Sequence, residues 1–294
     1  NGGFDVWQRG TSLTAASSYL ADRWVNGTSE AQSRQAFTVG QTEVDGNPTY
    51  YHRSGGGGSA YYGLDHKIEN VGTLSGKEVT LSYWMKGSSA FTNAPYRSQN
   101  FGSGGSSGVE AALSTSSITT SWVRYTHTFT FPSISGKTVG ASSFSQLNVF
   151  RANIANIVVD IANVQLELGS VATDFEHRSY GEILADCQRY YQVYGGTAYA
   201  TIASGMQPNN TNAKFHLSYM QEIRTAPSIA VSDVTELIVT DRTGFDTVLS
   251  GLSGNVAGKT SAYMSAQFGE SGAGGRGILL AVKNGTTTTV NLDA

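Results

Sequence analysis

Trp84 is the residue best placed to do chemistry. It stands in residues 77–86, where Val79, Leu81, Tyr83 and Met85 alternate with Thr80, Ser82, Trp84 and Lys86. A period of two sends successive side chains to opposite faces of a strand. The first set therefore predicts a core face, and the second an outward face carrying a large aromatic. Four tyrosines, Tyr50, Tyr51, Tyr61 and Tyr62, flank a glycine-rich loop at 54–59. Sugars present apolar C–H patches that stack on rings, and hydroxyls that need planar polar partners. Trp84 with the four tyrosines as a rim is thus a candidate carbohydrate-binding set. The competing reading packs Trp84 under a loop or against a neighbouring subunit, and on the residues alone that packing reading is the one favoured.

Other chemistries find less support. Hydrolysis of a glycosidic bond needs two carboxylates about 5–10 Å apart across a cleft. Glu167, Asp174 and Glu176 lie close in sequence, with Asp65 and Glu69 elsewhere, and they read as solvated acids rather than as a catalytic pattern. The histidines at 52, 66, 127, 177 and 216 have no metal-ligand spacing. His127 falls on the predicted core face of its strand and reads as a hydrogen-bonded core histidine. No G-x-S-x-G context supports a nucleophilic serine. The glycine clusters at 55–58 and 272–277 lack the Lys-Ser/Thr of a phosphate loop. Neither a catalytic residue nor a cofactor is expected.

Composition narrows the class. Only 14% of the 294 residues are charged, 39% are hydrophobic, and 35 are glycine. Low charge with many Ser, Thr, Gly and Tyr suits sheets joined by turns, not a disordered chain. The net charge is -3, without a basic block. That argues against a surface that tracks nucleic-acid phosphates. No run approaches the roughly 18–20 apolar residues that would span a bilayer as a helix. The single cysteine, Cys187, excludes an intrachain disulfide.

The elements that must position these residues are mainly strands. Residues 77–86 and 122–131 are the clearest, the second alternating Val123, Tyr125, His127, Phe129 and Phe131 against Trp122 and a polar set. Asn26-Gly27 is a hairpin signal. Residues 91–108 are polar and glycine-rich and read as a long loop, and 154–168 as the closing strands. One helix interrupts this β pattern. Ser179 and Glu182 have capping-box spacing, and Ile183, Leu184, Cys187, Tyr190, Tyr191 and Tyr194 recur at steps of three and four. Gly195-Gly196 predicts its end. Cys187 on the apolar face reads as a buried small hydrophobe. After the helix tryptophan disappears, and short strands recur to the C-terminus. The expected architecture is mainly β: a β-sandwich over 1–178, a linking helix over 179–195, and a smaller C-terminal β-sandwich over 196–294.

Five blocks add a resemblance. NGGFDVWQRGTS at the start, ADRW at 21–24, LDHKIENVGTLSGKEVTLSYWMKG at 64–87, SWVRYTHTFTFPSISGKT at 121–138, and NVQLELGSVATDFEHRS followed by GEILADCQRYYQ at 163–192 resemble, in this order, tail-fibre-type proteins of tailed bacteriophages. The resemblance covers most of residues 1–194 and extends to KFHLSYMQEIRTAPSIAVSD at 214–233. It implies a jelly roll of the carbohydrate-binding-module type on a virion appendage, contacting host surface polysaccharide and other virion proteins. It further implies a homotrimer, with the C-terminal domain as tip or oligomerisation domain. Such jelly rolls often hold a calcium ion between first and last strands, where Asp5 stands. The matching 160–165 segment, with Asp160, Asn163 and Gln165, lacks the paired acids that calcium prefers, so no metal is expected. No signal peptide is visible, and the chain reads as a fragment or processed product lacking an upstream attachment segment, or equally as a secreted protein without its signal peptide. A free-standing module of a secreted glycosidase, a depolymerase and a purely structural virion subunit are the alternatives.

Overall fold

The computed structural model describes residues 1–294 except 28–29, 56–60, 155, 242–245 and 270–273, and leaves the side chains of 61, 62, 152, 153, 255 and 256 undescribed. Two units emerge, Asn1–Ile183 and Leu184–Ala294.

In chain order, the strands of the first unit are β1 (Ser12–Leu13), β2 (Trp24–Asn26), β3 (Gln32–Ala36), β4 (Tyr50–Gly55), β5 (Tyr61–Glu69), β6 (Glu78–Gly87), β7 (Phe91–Asn93), β8 (Tyr96–Asn100), β9 (Val109–Ala112), β10 (Ser116–Ile118), β11 (Val123–Thr130), β12 (Phe144–Asn153) and β13 (Val158–Leu168). Six of them form a sheet in the order β1-β3-β4-β13-β6-β11. Five form a second sheet, β2-β5-β12-β8-β9, and β7 pairs with β10. Neighbours distant in sequence, such as β4 and β13, give the crossed connectivity of a jelly roll.

The core lies between the two sheets. Val79, Leu81, Tyr83 and Met85 are each fully buried, as their alternation predicts, together with Val159 and Ile161 of β13, Leu64 of β5 and Phe150 of β12. His127 is buried too, 3.0 Å from the Tyr83 hydroxyl and 2.9 Å from Ser114 Oγ. Asn26-Gly27 does not turn a hairpin: β2 pairs with β5, whereas β3 belongs to the other sheet. Asn26 is instead buried, its amide donating to the Glu30 and Ala15 carbonyls. Within the expected loop 91–108 lie β7, which pairs with β10, and β8, which lies beside β12 in the five-stranded sheet. Their hydrophobic signal is faint because inward positions carry polar residues such as Gln99 and Ser145. A register shift between Asn148 and Phe150 breaks the period of two as well.

The helix α1 (Tyr180–Gln188) starts at the expected capping box: the Ser179 N–H donates to Glu182 Oε2 at 3.0 Å, and the Glu182 N–H donates back to Ser179 Oγ at 3.4 Å. It ends seven residues short of 195. Residues of the predicted apolar face, Tyr191 and Tyr194, lie in β14 (Tyr191–Gly195), which pairs with the C-terminal strand in the register Tyr191 with Asp293 through Gly195 with Thr289. Aromatic and β-branched residues favour a pleated surface once a partner strand is available. Gly195 and Gly196, at φ +91° and +83°, then end the strand rather than the helix.

The second unit continues with β15 (Thr201–Asn209), β16 (Asn212–Ser218), β17 (Ser228–Val231), β18 (Leu237–Thr240), β19 (Asp246–Ala257), β20 (Ser261–Phe268), β21 (Arg276–Val282) and β22 (Thr289–Asp293). The layering expected of a sandwich is present, with one layer closed. β15-β16-β20-β19-β18-β21 form a barrel, and β14-β22-β17 form a three-stranded sheet. Phe215, Leu217, Ala262, Met264, Ala266 and Phe268 point into the barrel, and Val290 and Leu292 of the three-stranded sheet join the same core. Closure removes the unpaired edges that a small open sheet would present.

Candidate functional site

Strand pairing fixes which side chains share the outward face of the six-stranded sheet. Asp160 stands opposite Arg53 and Lys86, and Ala162 opposite Trp84, which in turn faces Arg124. Tyr51, two residues from Arg53, shares the face. Two segments lie over it. Residues 37–49 place Phe37 on Tyr51 at 4.7 Å and on Trp122 at 5.4 Å, and bury Val44 with Trp122 and Ala162. The Asn163 amide donates to the Asp45 carbonyl at 3.1 Å and fastens this segment.

Residues 169–178 form the second cover. Thr80 Oγ1 donates to the Gly169 carbonyl at 2.7 Å, the Gln165 amide to the Asp174 carbonyl at 3.1 Å, and the Glu176 N–H to Gln165 Oε1 at 2.7 Å. Arg124 donates to the Thr173 carbonyl, and Glu167 accepts from the Thr173 N–H and hydroxyl. Burial raises the Glu167 carboxyl, but these hydrogen bonds prevail and hold it below its ordinary pKa. Glu167 is therefore engaged in holding this segment.

Trp84 and Tyr51 are accordingly half-buried beneath covering chain, and do not stand on an open platform. What remains beside Trp84 is a slot of about 220 Å³ between the covers, lined by Asp45, Arg124, Asp174 and His177. An alternating strand shows which residues point outward; it does not show what lies over them. Farther along the same face, Arg53 donates to Asp160 through Nε at 2.7 Å and Nη2 at 2.8 Å, with Lys86 Nζ at 3.9 Å. The paired hydrogen bonds to Asp160 raise the Arg53 pKa further.

Tyr50 points to the other side of β4. The Arg34 guanidinium lies over its ring at 4.5 Å, and both line a cavity of about 450 Å³ with Asp5, Asn163, Phe175, His177 and Arg178. The side chains of Tyr61 and Tyr62 lie outside the described residues; their backbone belongs to β5. The five candidates therefore do not form one set: Trp84 and Tyr51 share the covered face, and Tyr50 belongs to the cavity. Asp5 and Asn163 meet at that cavity, while Asp160 and Gln165 are committed to the partners above. Among the described residues no group of three or more His, Cys, Asp or Glu side chains could hold a metal ion.

The five-stranded sheet turns out a different face. Asp65 of β5, Asn148 of β12 and Tyr96 of β8 form one row across it. Lys67, Gln146, Ser98 and Glu110 of β9 form the next. Except for exposed Glu110, all are half-buried. Asn148 Nδ2 donates to Asp65, and the Asn148 Oδ1 is buried without a partner. Burial raises the Asp65 pKa, opposed by the Asn148 hydrogen bond and the charge of Lys67. The Arg151 guanidinium stacks over the Tyr96 ring at 5.0 Å. Gly63 keeps this row compact, since a Cβ there would come within 3.2 Å of Asn148 Nδ2.

Sequence reasoning missed this row. Its signal is the alternation of Asp65, Lys67 and Glu69 with Leu64, His66 and Ile68, and of Gln146 and Asn148 around Leu147. An aromatic ring, two carboxylates, two amides and two cations converge there without a covering segment hydrogen-bonded over them among the described residues. Planar polar groups can accept from and donate to neighbouring hydroxyls in pairs, while the ring offers an apolar surface.

No family model matches the chain, and no curated protein matches it. Solved structures of low similarity include the C-terminal family 22 carbohydrate-binding module of Xyn10B from Clostridium thermocellum, at 16% identity over 51% of this chain and 89% of that one, with a TM-score of 0.39. The tandem family 22 modules of Xyn10C from Paenibacillus barcinonensis match at 11% identity over 96% and 94%, with a TM-score of 0.37. A Stig cyclase from Fischerella sp. TAU matches at 11% over 58% and 96%, with a TM-score of 0.36. At these values the likeness carries no argument about ligand, and the functional reading rests on the chain's own residues.

Proposed function

We propose that the first unit is a carbohydrate-binding module whose glycan lies along the outward face of the five-stranded sheet. The observation that carries this reading is the row of Asp65, Asn148 and Tyr96, with Gln146 and Arg151 beside it: an aromatic surface next to carboxylate, amide and guanidinium groups on rigid strands. Sites built on strands hold such groups in place at low entropic cost. Affinity electrophoresis through gels containing soluble polysaccharides tests it. Retardation of the intact chain by at least one glycan is expected, and its loss in Gln146→Ala with the melting temperature unchanged. Equal retardation of Gln146→Ala would move the site elsewhere.

As the resemblance of residues 1–194 to tail-fibre proteins implies, we further propose that the chain is displayed on a phage particle, in a tail fibre or similar appendage. There it meets host surface polysaccharide as a homotrimer. Three copies would raise a weak single-site affinity through effective concentration. Light scattering on the purified chain separates this from a free-standing module: a trimer mass supports display on a fibre, and a monomer mass favours the free-standing reading.

A further inference from the structure

The cavity of about 450 Å³ in the first unit is a second place built for a ligand. Its volume falls in the range of small-molecule pockets, ample for one sugar ring. Arg34, Arg178 and His177 converge on it, against a single carboxylate, Asp5. Tyr50 and Phe175 supply ring surface, and the Arg34 guanidinium is held over the Tyr50 ring at 4.5 Å. Asn163 lines the cavity at 2% exposure, and its Oδ1 has no partner while its amide N–H is fastened to the Asp45 carbonyl. Gly3 keeps the wall open, since a Cβ there would meet Asp5 Oδ2 at 2.8 Å and the Phe175 ring at 3.6 Å.

These groups ask for a particular chemistry. The Arg34 guanidinium favours a carboxylate, which it can hold by paired, charge-assisted hydrogen bonds. The Asp5 carboxylate and the Asn163 oxygen need hydroxyl donors. The rings suit an apolar sugar face. We propose that this cavity binds an acidic sugar unit, a pyranose bearing a carboxylate, as a site separate from the outward face of the five-stranded sheet. The inference stands on its own residues and does not depend on that face binding neutral glycan.

Calorimetric titration of the intact chain with glucuronate, and with glucose as its neutral counterpart, tests the proposal. Glucuronate should bind at least about tenfold more tightly than glucose, the scale expected when hydrogen bonds to a charged group are lost. Arg34→Gln should lose about tenfold or more for glucuronate, Arg34→Lys less, and Gln146→Ala nothing. Acetate should fail to compete at equal concentration, because it offers no hydroxyls to Asp5 and Asn163. Equal binding of glucuronate and glucose, no binding of either, or competition by acetate as strong as by glucuronate would each overturn it. If Arg34→Gln lowers the melting temperature, Tyr50→Phe serves instead: it keeps the ring under Arg34 and should leave glucuronate binding within about twofold, whereas Tyr50→Ala should weaken it about tenfold. Loss of glycan retardation in Gln146→Ala with glucuronate binding intact would keep the two sites distinct.

Discussion

The two outward faces of the jelly roll carry similar residue types and put them to different uses. On the six-stranded sheet, Trp84 and Tyr51 are roofed by residues 37–49 and 169–178, and Arg53 and Asp160 farther along the face are committed to each other by paired hydrogen bonds. On the five-stranded sheet, Tyr96, Asp65 and Asn148 stay half-exposed and Arg151 is exposed, and the Asn148 oxygen remains unpartnered. Aromatic and charged residues on an outward face therefore do not by themselves mark a binding site. The cover does the sorting: beneath it they become a small second core, and without it they remain available.

The strongest way to break this contrast is to remove a ring from the covered face. Trp122 is 8% exposed and packs against Phe37 and Tyr51 at 5.4 Å each. Trp122→Ala should cost about 3–5 kcal/mol of stability, measured by urea unfolding, while glycan retardation of the folded fraction stays unchanged. Loss of binding with stability intact would make the covered face the site.

Acid is the next test, and it acts on the inward side of the same sheet. His52 is fully buried, stacked on Trp7 at 5.9 Å, with no partner for either ring nitrogen. Burial lowers its pKa to about 3. The unfolded chain, with an ordinary histidine pKa of about 6.5, then binds the proton that the folded chain refuses. Stability is full above that value and is lost as pH falls from about 6.5 toward 3. By pH ~4 this amounts to about 3 kcal/mol. His52→Leu should flatten that part of the acid profile. A histidine-sized acid loss surviving in His52→Leu would place it elsewhere, with His66, also lowered by burial, the first suspect.

How much of this was legible in the sequence follows the same division. Strong alternation and the capping box fixed β6, β11 and the start of α1, because side-chain period and local hydrogen bonds are local properties. The end of α1 was not legible, because it depends on pairing of Tyr191–Gly195 with a strand about a hundred residues later. Barrel closure in the second unit is equally non-local. At the site, Trp84 was correctly read as outward, but its cover comes from segments folded back over it. Asp65, Asn148 and Tyr96 come from three strands, two of which have weak apolar patterns, so nothing local joins them.

The open face should respond in affinity instead of stability. Tyr96→Ala removes the ring that Arg151 stacks on, and its strand position needs no aromatic for the core. A central aromatic in a binding face is worth about 2 kcal/mol, so glycan affinity should fall about thirtyfold, with the melting temperature nearly unchanged. A parallel loss of stability would make Tyr96 a packing residue and dissolve the contrast between the faces.

The smallest effect is the sharpest discriminator. The Asp65 pKa is raised because burial disfavours its charged form more than Asn148 and Lys67 favour it. A carboxyl with a raised folded pKa binds its proton more tightly folded than unfolded, so its ionised form at neutral pH detracts from stability, and acidification removes that cost. Asp65→Asn is neutral, nearly the same shape, and can still accept from Asn148 after an amide flip. It should gain on the order of 0.5 kcal/mol in stability at neutral pH, and the gain should shrink as pH falls and wild-type Asp65 takes up its proton. Glycan binding should weaken in the same variant, since a charge-accepted hydroxyl is exchanged for a neutral one. A residue that costs stability and supports binding serves the ligand. If Asp65→Asn instead destabilises the fold and leaves binding intact, the row belongs to the architecture of the sheet, just as the covered face does.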